Sequence, residues 1–182
     1  LRTERPPGSE PWSHRLHGAD NAQVSGDTTF RAPFLAQWWG MPRQEGFWGT
    51  TVVSCNGRMF SLRGSRNSRD RVSMTARSLN NGVLLWQKRL RQESEAKDVP
   101  HGGYIPGRSC AVATDDSLLL VFGGGVLRLK AETGEEAAVI PGPKEGGQVK
   151  WIGCCGNLLA ILSGEPDVAT PISYQTVSNT PT

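Results

Sequence analysis

Short apolar-rich runs with a period of two, broken by Asn, Asp and Gly, set the pattern of this chain. Residues 50–55 and 58–62 flank Asn56-Gly57, the strongest short-range signal for a two-residue hairpin. Residues 72–77 continue as a strand. The segment Ala76-Arg77-Ser78-Leu79-Asn80-Asn81-Gly82-Val83-Leu84-Leu85-Trp86 then predicts a strand end, a tight Asn-Asn-Gly turn and a strand finishing on a large anchor. The order recurs: residues 110–114 and 117–122 flank Asp115-Asp116, Gly123-Gly124-Gly125 opens a strand over 126–130, and Glu132-Thr133-Gly134 turns the chain into 135–140. A third start follows, with 150–154, a turn at Cys155-Gly156-Asn157 and 158–162.

Spacings between equivalent points are 59 positions from Asn56 to Asp115, 40 from Asp115 to Cys155 and 52 from Gly82 to Gly134. Four short strands at roughly 40–60 residues is the size of a propeller blade. Helical solenoids are excluded because period-two runs fill each unit. The expected fold is all-β, with blades of four antiparallel strands: about two blades plus part of a third, forming an arc of a larger ring.

The flanks are less regular. Residues 1–11, with three prolines, read as a flexible lead-in, and residues 165–182 as a polar tail. The segment from Trp12 to Asp27 has neither strand nor helix period and reads as irregular structure pinned by Trp12. Residues 30–39 are apolar but contain Pro33, which disfavours a central strand. A charged connector over 87–100 and a Gly/Pro-rich bend through Gly107 separate the first two units. The repeat region is thus expected over 12–164, with blades near 50–100, 108–143 and, in part, 148–164.

Composition supports this picture. The 182 residues include 22 glycines and 12 prolines with 37% hydrophobic residues, a balance suited to a turn-rich β protein. A net charge of +3, with arginines scattered among acids, leaves no nucleic-acid footprint. No window approaches the ~18 consecutive apolar residues of a membrane span. The cysteines at 55, 110, 154 and 155 match no zinc or haem spacing.

The units resemble the pyrroloquinoline-quinone-like (PQQ-like) repeat family of β-propellers, within the quinoprotein alcohol dehydrogenase-like superfamily. The likeness rests on the entry Asn56-Gly57-Arg58-Met59-Phe60 and on the run Ala76 to Trp86, with its Asn-Gly turn and Leu-Trp ending. Trp12 to Asn21 and Trp38-Trp39-Gly40 are similar to a subgroup of large bacterial proteins carrying such propellers. Departures are Ser78 and Lys130 in place of the usual Asp before the turn, and Ala138 as the counterpart of the docking residue Trp86. The family's rings have about eight blades, so the resemblance implies the remaining blades elsewhere in the same polypeptide.

The resemblance implies two classes of activity. Quinoprotein dehydrogenases hold the quinone and a calcium ion over the channel and oxidise alcohols or sugars. Others have lost the cofactor and use the ring for protein contacts, as in outer-membrane assembly lipoproteins. No acidic calcium ligands and no catalytic Asp are assignable by motif, so no catalytic, cofactor-binding or metal-binding residue is assigned. The expectation is a binding or scaffold module, with a dehydrogenase arc and a carbohydrate-binding surface as alternatives. Its partners would be the remaining blades and a protein, with no nucleic acid and no membrane span. The family also implies a periplasmic or otherwise extracytoplasmic location.

Several residue groups bear chemistry and are weighed against structural roles. In some quinone-dependent relatives adjacent cysteines form a ring disulfide beside the cofactor. Cys154-Cys155 is better explained by its place at a hairpin mouth, matching Cys55-Asn56 and Thr114-Asp115. His14, His17 and Asp20 are close enough to suggest a metal, but the spacing also suits a loop whose imidazoles bond backbone. His101 sits alone in a Gly/Pro bend. Gly123-Gly124-Gly125 lacks the Lys-Ser/Thr and helix of a phosphate cradle and reads as a connector. Arg63, Arg66, Arg69 and Arg71 form a basic loop, read as solvated. Trp38, Trp39 and Trp48 suit blade docking or, less simply, sugar stacking.

Overall fold

The computed structural model describes residues 7–20, 22, 24–29, 50–64, 71–91, 110–122, 124–143 and 147–165. Among the described residues ten strands form three antiparallel sheets. The first contains β1 (Thr50–Cys55), β2 (Arg58–Gly64), β3 (Arg71–Ser78) and β4 (Leu84–Arg91) in sequential order. The second repeats that order with β5 (Ala111–Ala113), β6 (Ser117–Phe122), β7 (Gly125–Lys130) and β8 (Glu136–Ile140). The third is the hairpin β9 (Gln148–Cys155) and β10 (Leu158–Gly164). Four-stranded meanders in series are blade architecture, and the all-β expectation stands.

The repeat extends to single hydrogen bonds. Gly82 N–H donates to Ser78 O at 2.9 Å, and Gly134 N–H to Lys130 O at the same distance. Leu79 N–H donates to Gly57 O and Ala131 N–H to Asp116 O, both at 2.8 Å. Gly82 (φ +70°) and Gly134 (φ +73°) occupy the left-handed region, where a side chain is disfavoured. Each of the two four-stranded sheets also carries a bulge at the same place, between Ala76 and Arg77 and between Arg128 and Leu129.

Sheets stack face to face. Val53, Phe60, Leu62, Met74, Ala76 and Leu90 from the first sheet bury against Ala111, Leu118, Leu120, Leu127 and Leu129 from the second. The other face of the second sheet meets the hairpin through Val112, Leu119 and Val126 against Val149 and Ile152. Covered on both faces, β5 and the start of β6 are buried at every position. This accounts for the unbroken run Leu118-Leu119-Leu120, which departs from strict alternation.

Two of the boundaries that differ from the sequence reading bear on the packing. The strand containing Trp86 does not end there, since β4 runs to Arg91. Its charged residues conceal an alternation in which Trp86 and Leu90 join the core, while Lys88 pairs with Glu136 at 2.9 Å. The third turn falls at Gly156-Asn157, one residue later than expected, because Cys155 still pairs with Leu158 and the left-handed residue is Gly156.

Candidate functional site

Hairpin registers align the inner strands. Ser54 pairs with Met59, Ala113 with Leu118 and Cys154 with Leu159, so Ser54, Ala113 and Cys154 are equivalent residues of three repeats. Cys154-Cys155 therefore matches Ser54-Cys55 and Ala113-Thr114, one position from the alignment expected from sequence. The backbone N–H groups of these three residues are taken by three consecutive residues of the N-terminal segment. Ser54 N–H donates to Trp12 O at 2.6 Å and Ala113 N–H to Ser13 O at 2.8 Å. Cys154 N–H donates to Nε2 of His14 at 3.0 Å.

This clasp is where the irregular segment is pinned. The backbone carbonyl of Trp12 does the pinning; the residue is 39% exposed and its ring turns back toward Arg15 O, 3.2 Å from Nε1. His14 is 3% exposed, and its Nδ1 lies 2.8 Å from Ser13 Oγ. Burial holds the imidazole pKa below its ordinary value, against a smaller upward pull from the Asp20 carboxylate. His17 does not share the site. Its Nε2 lies 3.1 Å from Glu10 Oε2, its ring meets Trp12 edge-on, and its φ is +77°. Asp20 accepts from Ala22 N–H at 3.1 Å. Among the described residues no three His, Cys, Asp or Glu side chains converge on a metal position.

The hairpin turns of the first two repeats meet at the same end. Asn56 Nδ2 donates to Asp115 O and Cys55 Sγ approaches Asp115 Oδ1, each at 3.3 Å. Beside them lies a cleft of about 960 Å³ whose walls include Arg58, Asn80, Asp116, Arg128, Lys130 and Glu132. The bulged-out residues Leu85 and Ala137 also line it. Much of its charge is internally matched. Asp116 accepts from Thr114 Oγ1 and Ser117 Oγ, both at 2.9 Å, and pairs with Arg128 at 3.1 Å. The Ser117 and Thr114 hydroxyls, with Arg128 adding less, hold its carboxyl below the usual range. Lys130 and Glu135 pair at 2.8 Å, which raises the amine and lowers the carboxyl. A wall of mixed, paired charge suits a polar contact surface, since neither polyanion nor free cation finds an excess of one sign.

Cys154 and Cys155 are both free thiols. Cys154 packs beside the second core cluster, and burial, with a smaller push from the neighbouring thiol, raises its pKa. Cys155 is exposed. Of the glycine run, Gly124 has φ +80° and Gly125 starts β7, so the segment is a strand connector. Trp86 Nε1 donates to Ala131 O at 3.0 Å, docking the first repeat on the second. Trp38, Trp39, Trp48, His101, Arg66 and Arg69 lie outside the described residues, as do Gly123 and the side chains of Arg63 and Arg71.

No family model and no curated protein sequence matches the chain. Among solved structures it is similar to BamB from Moraxella catarrhalis, at 13% identity and a TM-score of 0.34, over 77% of this chain and 51% of that one. The chain spans about half the length of that structure.

Proposed function

We propose that this chain is an arc of a β-propeller of the PQQ-like repeat type and serves as a binding or scaffold module. The carrying observation is the interlock of successive repeats, in which Trp86 of one strand bonds Ala131 O in the next repeat's turn. Lys88 follows the same path, 3.3 Å from Gly134 O. Docking of one repeat on the turn of the next through Trp86 and Lys88 is what a ring used as a platform requires. The remaining blades of the same polypeptide are its first partners, and the polar turn-end cleft is the surface offered to a protein. An extracytoplasmic location follows from the same family reading.

The competing reading is an arc of a quinone- and calcium-dependent dehydrogenase. The full-length gene product, incubated with pyrroloquinoline quinone and Ca²⁺, separates the two. The module reading expects no quinone binding at micromolar concentration and no reduction of an artificial acceptor. Quinone-dependent turnover that disappears on mutating residues of this arc would overturn it.

A further inference from the structure

We propose that His14 is a proton-operated latch holding the third repeat to the first two. Three equivalent backbone donors, Ser54, Ala113 and Cys154, are captured by consecutive residues, but the acceptors differ in kind. The first two are carbonyls, whose capacity to accept is the same at every pH near neutrality. The third is an imidazole nitrogen, which accepts only while it is unprotonated.

With Nε2 accepting from Cys154 N–H, the neutral ring carries its hydrogen on Nδ1, where Ser13 Oγ accepts at 2.8 Å. A second proton has one place to go, Nε2. There it would set one N–H against another across a 3.0 Å contact, and the contact must open. An imidazolium at a site only 3% exposed also loses hydration. Asp20 is the carboxylate that acts on the ring, favouring the proton more weakly than burial disfavours it. On the same segment His17 faces away into Glu10. On the β9 side the neighbouring group is the neutral Cys154 thiol, itself held protonated by burial. On β5 the contact is apolar Val112, bridged to the His14 backbone.

The direction follows from linkage. The latched ring titrates below the ordinary imidazole value of 6.5, so an opened or unfolded chain binds the proton more readily. The latch is fully closed above that value. Its contribution is lost as pH falls through the lower pKa of the closed form. In the open state the β9–β10 hairpin keeps its apolar packing against the second sheet and loses its tie to the clasp.

Amide hydrogen exchange of the full chain tests this between about pH 7.5 and pH 4.5, with rates corrected for intrinsic exchange. Protection at Cys154 should fall by up to about tenfold per pH unit between the ordinary imidazole value and the lower pKa of the closed form, the limit for one linked proton, and level off below that. Ser54 and Ala113 should keep theirs. In His14→Gln, whose side-chain oxygen accepts without titrating, that pH dependence should vanish. Undiminished protection of Cys154 down to pH 4.5, or an unchanged pH profile in His14→Gln, overturns the latch. Should that variant not fold, the His14 ring and Cys154 amide resonances of the wild-type protein carry the test. A shared midpoint supports the latch and separate midpoints reject it.

Discussion

The indole of Trp86 stands on Gly134: a Cβ placed there would lie 2.8 Å from Cε3 of the ring. The same ring donates through Nε1 to Ala131 O and packs beside Phe60 at a centroid distance of 5.9 Å. One side chain thus joins the core of its own sheet to the turn of the next. Trp86→Ala should lower stability by on the order of 3 kcal/mol. Trp86→Phe, which keeps much of the packing and drops the hydrogen bond, should cost about 1 kcal/mol. Urea unfolding measures both, and an alanine variant within about 0.5 kcal/mol of wild type would refute the docking role.

Gly134→Ala combines positive-φ strain with a ring contact, and should cost roughly 1–3 kcal/mol. Gly57 has nearly the same φ, +70°, but a Cβ there meets nothing within 4 Å. Gly57→Ala should therefore be the milder change. Combining Gly134→Ala with Trp86→Ala should cost less than the sum of the single effects, because removing the ring removes the clash. Strict additivity in that cycle would count against the contact.

The turn carbonyls of the two repeats are satisfied from different places. Gly82 O accepts from Arg77 Nη1 of its own sheet at 2.8 Å, whereas Gly134 O is approached by Lys88 of the neighbouring repeat. Arg77 is only 5% exposed, and its counterpart at the second bulge is Leu129. Arg77→Leu should cost about 1–3 kcal/mol by leaving a buried acceptor unpaired. An equilibrium midpoint equal to that of the wild type would show that water replaces the guanidinium at no penalty.

The four thiols should separate by accessibility. At neutral pH a disulfide reagent should modify exposed Cys155 first and Cys154, whose pKa is raised by burial, more slowly. Buried Cys55 and Cys110 should react only in denaturant. Native-state labelling of Cys55 at the rate of Cys155 would contradict the packing of the first two hairpins.

Strands were legible because their causes are local. Asn56-Gly57 fixes a hairpin through two residues with positive φ, +49° and +70°. Period-two burial marks β1, and the Gly82 and Gly134 turns sit at the separation read from sequence. Misplacement of β4 past Trp86 has an equally local reason, since Gln87-Lys88-Arg89 has the composition of a connector. Its strand character comes from pairing with β3 and from a carboxylate, Glu136, supplied by another sheet.

The sequence by itself determined the repeat, the sheet order within each unit and the role of Trp86 as an anchor, since hairpin chemistry and alternation act over a few residues. Only the tertiary structure decided where Trp86 docks and what the segment Trp12-Ser13-His14 does. That segment has no period to read. Its meaning arises from stacking three sheets so that Ser54, Ala113 and Cys154, up to 100 residues apart in the chain, present equivalent N–H groups to three consecutive acceptors.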